Sequence, residues 1–158
     1  MKRKKILRIA ATLVIAGLLI GGGVGLYMFN MPQRDVQAAK ADYTLTGSQI
    51  VEEYLAGREA ANSKYLSNDG DSKILIVTGV VNKISDDFSG QKVVLLKSDG
   101  DKAGVSATFT PETSSKAADL QIGTTVSIKG VIRSGATYDN DLGLYENVVL
   151  EKCDIVTL

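Results

Sequence analysis

"KILIVTGVVNKI", residues 73–84, decides the fold. It is β-branched and apolar and reads as a strand, with Gly79 in its middle. "TVSIKGVIRSG", residues 125–135, repeats the pattern around Gly130. Two strands of this kind imply a small curled barrel. Such a barrel bends sharply at mid-strand, where a side chain would obstruct, and glycine answers that need without demanding a ligand.

Working outward, the segments alternate between strand and turn. "SNDGDS" (67–72) is a turn cluster ahead of the first strand, and "SDDFSG" (85–90) is the turn after it. "QKVVLLKS" (91–98) is a second strand, "DGDKAG" (99–104) a turn and "VSATFT" (105–110) a third strand. "PETSSKAADL" (111–120) opens on Pro111, which suits a first helical turn, and makes a short helix. "IGTTVSIKGVIRS" (122–134) is the fourth strand, "GATYDNDLGLYE" (135–146) a long polar loop and "NVVLEKCDIVTL" (147–158) the fifth strand. The order β-β-β-α-β-β is that of an OB-fold, a five-stranded Greek-key barrel. The fold class is all-β with added helices.

Upstream, residues 44–66 are expected to form a packing helix. Thr46 or Ser48 can cap it, Glu52 and Glu53 follow in its first turns, and Ile50, Val51, Tyr54 and Leu55 fall on one face. Residues 32–43 are polar and mixed and read as a linker. Residues 9–31, "IAATLVIAGLLIGGGVGLYMFNM", carry no charged side chain. At about 1.5 Å per residue they span a hydrocarbon core of roughly 30 Å. Lys2, Arg3, Lys4, Lys5 and Arg8 precede them, so the N-terminus (1–8) is expected in the cytoplasm. Tyr27 and Phe29 fall at an interfacial level. The other reading is a cleaved signal peptide. Its apolar region is usually shorter, the nearest small-x-small site is Ala39-Lys40-Ala41, and a lipoprotein signal needs a cysteine that is absent here. The expectation is an uncleaved single-pass anchor in the inner (cytoplasmic) membrane, with residues 67–158 forming an extracytoplasmic, periplasmic barrel. Gly17, Gly21 and Gly25 form a smooth stripe on the anchor that would admit a second helix and hence a homodimer.

Composition narrows function. Hydrophobic content of 44% and charged content of 23% are those of a globular protein. The net charge of zero conceals an asymmetry. Beyond residue 8 the chain carries 13 basic groups against all 18 acids, whereas nucleic-acid binding needs a positive footprint. There is no histidine, so nucleophile–histidine pairs and histidine zinc sites are excluded. Cys153 is the single cysteine, so no intramolecular disulfide can form. "GGGVG" at Gly21 lies within the anchor and is no phosphate cradle, and adjacent Asp86 and Asp87 do not make an acid/base pair. No enzymatic activity and no cofactor are expected.

With that order of segments the chain resembles the tRNA_anti-like OB-fold proteins of bacteria, many of them membrane-anchored or lipoproteins. The resemblance runs from about Thr44 to Leu158. It rests on "KYL" (64–66), "ILIVTGVV" (74–81), "VVLL" (93–96), "VSATF" (105–109), "GTTVSIKG" (123–130) and "NVVLEKC" (147–153). The resemblance implies an OB-fold and no set activity. It also implies a second cysteine in the third or fourth strand. Ala107 or Ile132 stands there instead, so Cys153 is expected to be a buried, small apolar residue.

OB-folds bind on the face of strands two and three, between the loops joining strands 1–2 and 4–5. The first loop brings Asp86, Asp87 and Phe88. The second brings Tyr138, Asp139, Asn140, Asp141 and Tyr145, and the strands add Lys92, Lys97 and Phe109. Few aromatics and two acidic loops disfavour nucleic acid. A protein or glycan partner is expected, with oligonucleotide binding and a structural role through the anchor as the competing readings. "NDGD" (68–71) and "DNDLG" (139–143) resemble pieces of calcium loops but lack the full ligand pattern. They read as turns, with Asp139, Asp141 and Glu146 the candidates if a cation binds.

Overall fold

The computed structural model describes residues 2–30 and 34–157 of the chain. The chain divides into two compact units, Met1–Arg34 and Asp35–Leu158. The side chains of Lys2, Arg3, Lys4, Lys5 and Arg8, and residues 31–33 where the anchor is expected to end, lie outside what is described. In the first unit, α1 (Lys2–Phe29) is one continuous helix. Its stretch Thr12–Phe29 has a mean hydropathy of 2.0 and none of it is buried. By length and composition it is fit to cross a membrane.

The second unit is a closed five-stranded barrel with added helices. β2 (Ile74–Asp86) is the long stave. It is followed by β3 (Lys92–Leu96), β4 (Val105–Phe109), the short helix α4 (Ser114–Ala118), β5 (Thr125–Ser134) and β8 (Val148–Val156). The strands run β2-β3-β4-β8-β5, and β2 pairs back onto β5. The β4–β8 pair is parallel and the other four pairs of the barrel are antiparallel. This is the OB-fold order expected from the sequence.

Alternation along the strands fills the barrel. Leu75, Val77, Val81, Val94, Leu96, Val105, Ala107, Ile128, Ile132, Leu150 and Cys153 are all buried in one cluster. Burying each large aliphatic side chain is worth roughly 1.5–3 kcal/mol. Phe109 belongs to the same cluster, with no exposed surface. It is therefore a core residue and not part of a ligand-binding face. Val105, Ala107 and Phe109 share the inward parity of β4, and Ser106 and Thr108 take the outward one.

The glycines hold the strands close together. A methyl group on Gly130 would stand 2.5 Å from Cys153 Sγ and 3.1 Å from the Glu151 carbonyl oxygen. One on Gly79 would meet Leu96 Cβ at 3.0 Å. Both glycines sit where the barrel turns, and the sulfur of Cys153 occupies the space that Gly130 leaves. Opposite Gly130, β8 bulges and Lys152 takes φ 53°.

Two segments ahead of the barrel differ from the sequence reading. Residues 35–42 are no free linker. Val36 is buried against Ile74 and Val131, on the outer side of the barrel wall. Gln37 Nε2 donates to the Lys152 carbonyl at 2.7 Å, and Lys129 Nζ donates to the Gln37 carbonyl at 2.8 Å and to that of Ala39. The Asp42 carboxylate accepts from Ile74 N at 2.8 Å. One buried valine and a few side-chain-to-backbone hydrogen bonds make a strap that composition does not reveal.

The expected packing helix is also divided. β1 (Tyr43–Thr46) pairs in parallel with the first half of β2. α2 (Gly47–Ala56) and α3 (Arg58–Tyr65) then follow, separated at Gly57. Thr46 provides the cap. Its hydroxyl accepts from Gln49 N, and Gln49 Oε1 accepts from Thr46 N at 2.8 Å, a reciprocal box. Ile50, Val51 and Tyr54 bury one face of α2, and Tyr54 stacks on Tyr65 of α3. The ring of Tyr54 lies against Gly135, where any Cβ would collide with it.

Gly130→Ala is expected to lower stability in denaturant titration by about 1–3 kcal/mol through overpacking against Cys153. Adding Cys153→Ala is expected to recover part of that loss, because the two substitutions share one space. An unchanged midpoint for Gly130→Ala would contradict the close approach of β5 and β8.

Candidate functional site

The residues singled out from the sequence separate to the two ends of β3 and β4. At one end, the β2–β3 turn carries Asp86, Asp87 and Phe88. Asp86 is paired with Lys92 Nζ at 2.7 Å. Asp87 Oδ1 accepts from the backbone N–H groups of Ser89 and Gln91, both at 2.8 Å, so its carboxylate shapes the turn. Phe88 projects fully into solvent.

At the other end, residues 135–146 are not a plain loop. They form a hairpin, β6 (Thr137–Asp139) and β7 (Leu144–Glu146). Tyr138 and Tyr145 are directly opposed, with ring centroids 4.8 Å apart, and Lys102 Nζ lies 5.8 Å from the Tyr145 centroid. This cross-strand aromatic pair supports a hairpin too short to stand on backbone bonds alone. Asp139 Oδ1 accepts from Asp141 N at 2.8 Å and Leu142 N at 2.9 Å. That oxygen is engaged by the turn. Glu146 is opposed to Thr137, at the far rung of the hairpin from Asp139. Among the described residues no cluster of three acidic, cysteine or histidine side chains could hold a metal ion, so Asp139, Asp141 and Glu146 are not assembled as a site. Asp69, in "NDGD", likewise accepts from Asp71 N at 3.0 Å.

Between the two ends runs the outer face of β3 and β4. Val93 is opposed to Thr108 and Leu95 to Ser106, all half-buried. Lys83 and Ser85 flank them on β2, and Val149 flanks them on β8. This face is narrow, aliphatic and hydroxylated, and it carries no aromatic ring. The hairpin end holds a group of exposed apolar side chains, Tyr138, Leu142 and Leu144, at 45%, 69% and 46%, while Phe88 stands exposed at the other end.

A cleft of about 380 Å³ opens beside the hairpin, between it and the break at Gly57. Tyr54, Arg58, Lys102, Tyr138 and Tyr145 line it. Arg58 Nη1 donates to Thr137 Oγ1 at 3.4 Å and ties α3 to the hairpin. Burial pushes the Tyr54 phenol up to about 12, so it stays a hydrogen-bond donor at neutral pH. Tyr54, Arg58 and Lys102 were not singled out from the sequence as site residues. They come from α2, α3 and the β3–β4 loop, and the interruption of a helical pattern by Gly57 is the one local signal of them.

Cys153 has no exposed surface, and burial raises its thiol pKa well above the ordinary value. Gly17, Gly21 and Gly25 lie on α1 with open space around each among the described residues.

The tRNA_anti-like family profile matches residues 1–142. The chain belongs to the tRNA_anti-like family. A Klebsiella pneumoniae lipoprotein, provisionally described as nucleic-acid-binding, is similar in structure. It has a TM-score of 0.52 at 18% identity, over 72% of this chain and 91% of that one. A chain of the Stn1–Ten1 complex of S. pombe has a TM-score of 0.37 at 16% identity, over 56% of this chain and 62% of its own. No curated protein matches. For this tRNA_anti-like chain the likeness to the lipoprotein supports the OB-fold.

Cys153 is expected to stay unlabelled by a thiol reagent such as DTNB in the native protein and to react in full once denatured. Rapid labelling of the folded chain would contradict its place in the core.

Proposed function

We propose that this chain is a membrane-anchored, non-enzymatic binding module. In this reading α1 is an uncleaved single-pass anchor, its basic start stays in the cytoplasm, and the barrel faces the extracytoplasmic side, where it holds a protein or glycan partner of the cell envelope. The observation that carries the binding reading is the distribution of surface groups on the barrel. The hairpin end gathers exposed Tyr138, Leu142 and Leu144, while the β3–β4 face offers Val93, Leu95, Ser106 and Thr108. Single-stranded nucleic acid needs stacking rings and a cationic rail along such a face. All 18 acidic residues fall within 35–158, against 12 basic ones. Lys92 and Lys116 are already paired with Asp86 and Asp154. An apolar, tyrosine-bearing projection suits a protein or sugar surface better.

Fluorescence anisotropy of labelled single-stranded DNA and RNA, with the full chain in nanodiscs at low and moderate salt, tests this reading. No binding is expected even at low salt, where attraction to phosphate is strongest. Binding that weakens steeply as salt rises would replace the reading with an oligonucleotide-binding one.

A further inference from the structure

We infer that the cleft between the start of α3 and the β6–β7 hairpin is an oxyanion site, taking the carboxylate or phosphate of a small organic ligand whose uncharged body lies against Tyr138. The inference deepens the binding-module reading by giving the hairpin end a ligand chemistry. Three independent features converge on this cleft.

The first is the start of α3. Its cap residue is Gly57, which brings no side chain to the first-turn amides. A helix start without a side-chain cap offers N–H donors and partial positive charge that favour an anion, and Glu59 in the same turn offsets part of that charge.

The second is a pair of cations. Arg58 and Lys102 come from different elements and face the same cleft. Neither is in an ion pair among the described residues. Each is instead set against the hairpin, Arg58 on the Thr137 hydroxyl and Lys102 over the Tyr145 ring. Glu53, next to Tyr54 in the chain, does not compete for them. Its carboxylate already accepts from Lys64 Nζ and the Tyr65 hydroxyl, both at 2.8 Å.

The third is Tyr54. The residue lines the cleft and is 2% exposed, and its hydroxyl is buried without a hydrogen-bond partner among the described residues. Buried donors are almost always satisfied, so a lone one in a residue that lines the cleft together with Arg58 and Lys102 supports an acceptor there. The cleft, about 380 Å³ and open to solvent, has room for a small ligand. Exposed Tyr138 supplies the apolar wall for the uncharged body.

Calorimetric titration of the full chain in nanodiscs tests this. The probes are glucose 6-phosphate, glucuronate, inorganic phosphate and neutral glucose. Saturable binding of glucose 6-phosphate or glucuronate is expected, tighter than that of inorganic phosphate, with none for glucose. The stronger of the first two shows whether phosphate or carboxylate is the preferred group. Arg58→Gln is expected to weaken binding about tenfold or more, because a charge-assisted bond is lost. Tyr54→Phe is expected to weaken it several-fold while leaving the melting temperature unchanged or higher, since the substitution removes an unsatisfied buried hydroxyl and keeps the ring. That combination separates a ligand contact from a structural role.

Absence of saturation with every anion would overturn the inference. So would equal binding of inorganic phosphate and glucose 6-phosphate, or affinity unchanged in both variants. Failure here, with oligonucleotides still unbound, removes the oxyanion site and leaves the binding-module reading standing.

Discussion

Everything in the barrel depends on one strand serving two neighbours. The first half of β2 pairs with β5 from Ile74 to Val80, and its second half pairs with β3 from Val81 to Asp86. A stave shared in this way turns an open meander into a closed wall. Closure needs a sharp change of direction near the handover, and Gly79 stands there against Leu96. The opposite seam, β5 on β8, needs the same freedom and finds it at Gly130 against Cys153. β1 and the strap at Val36 then cover parts of β2 that β3 does not reach. The helices α2 and α3 lean on this wall through Ile50, Val51, Tyr54, Ala61 and Tyr65.

Closure also decides where the barrel can act. The inward parity of β3 and β4 is spent on the core, Phe109 included, and the outward parity offers short aliphatic and hydroxyl groups. The two connecting segments at the ends of the strands are what project. One is a tight turn whose carboxylates are occupied by backbone amides and by Lys92. The other is a hairpin with its own tyrosine pair, exposed leucines and a cleft at its base. The wall supplies rigidity, and the hairpin end carries the exposed tyrosine and leucines with Arg58 and Lys102 beside them. The acidic surplus of residues 35–158 works against a polyanion approaching from afar. It does not prevent a small anion from reaching two local cations at short range.

Legibility in the sequence followed the strength of local signals. β2 and β5 stand out because long β-branched runs with a central glycine have few other uses. The barrel order followed from these and the shorter strand segments between turns, and the buried state of Cys153 from the family resemblance. Phe109 was misplaced, although the alternation Val105, Ala107, Phe109 against Ser106, Thr108 already carried its inward parity. The β6–β7 hairpin was hidden because its strands are three residues each and its composition is that of a turn; a cross-strand pairing of Tyr138 with Tyr145 leaves no periodic trace. The strap was hidden because one buried valine, Val36, and a few hydrogen bonds of Gln37, Lys129 and Asp42 hold it. The cleft was hidden because Tyr54, Arg58 and Lys102 come from three elements that only the closed barrel brings together.

Amide hydrogen exchange of the full chain in nanodiscs tests the central claim, a rigid shared stave presenting a separately opening hairpin. The amides of residues 74–84, with those of β5 and β8, are expected to exchange slowest, through global unfolding alone. Those of residues 137–146 are expected to exchange through local opening, well before the barrel. Exchange of β2 as fast as the hairpin, or protection of the hairpin as deep as that of β2, would contradict the account.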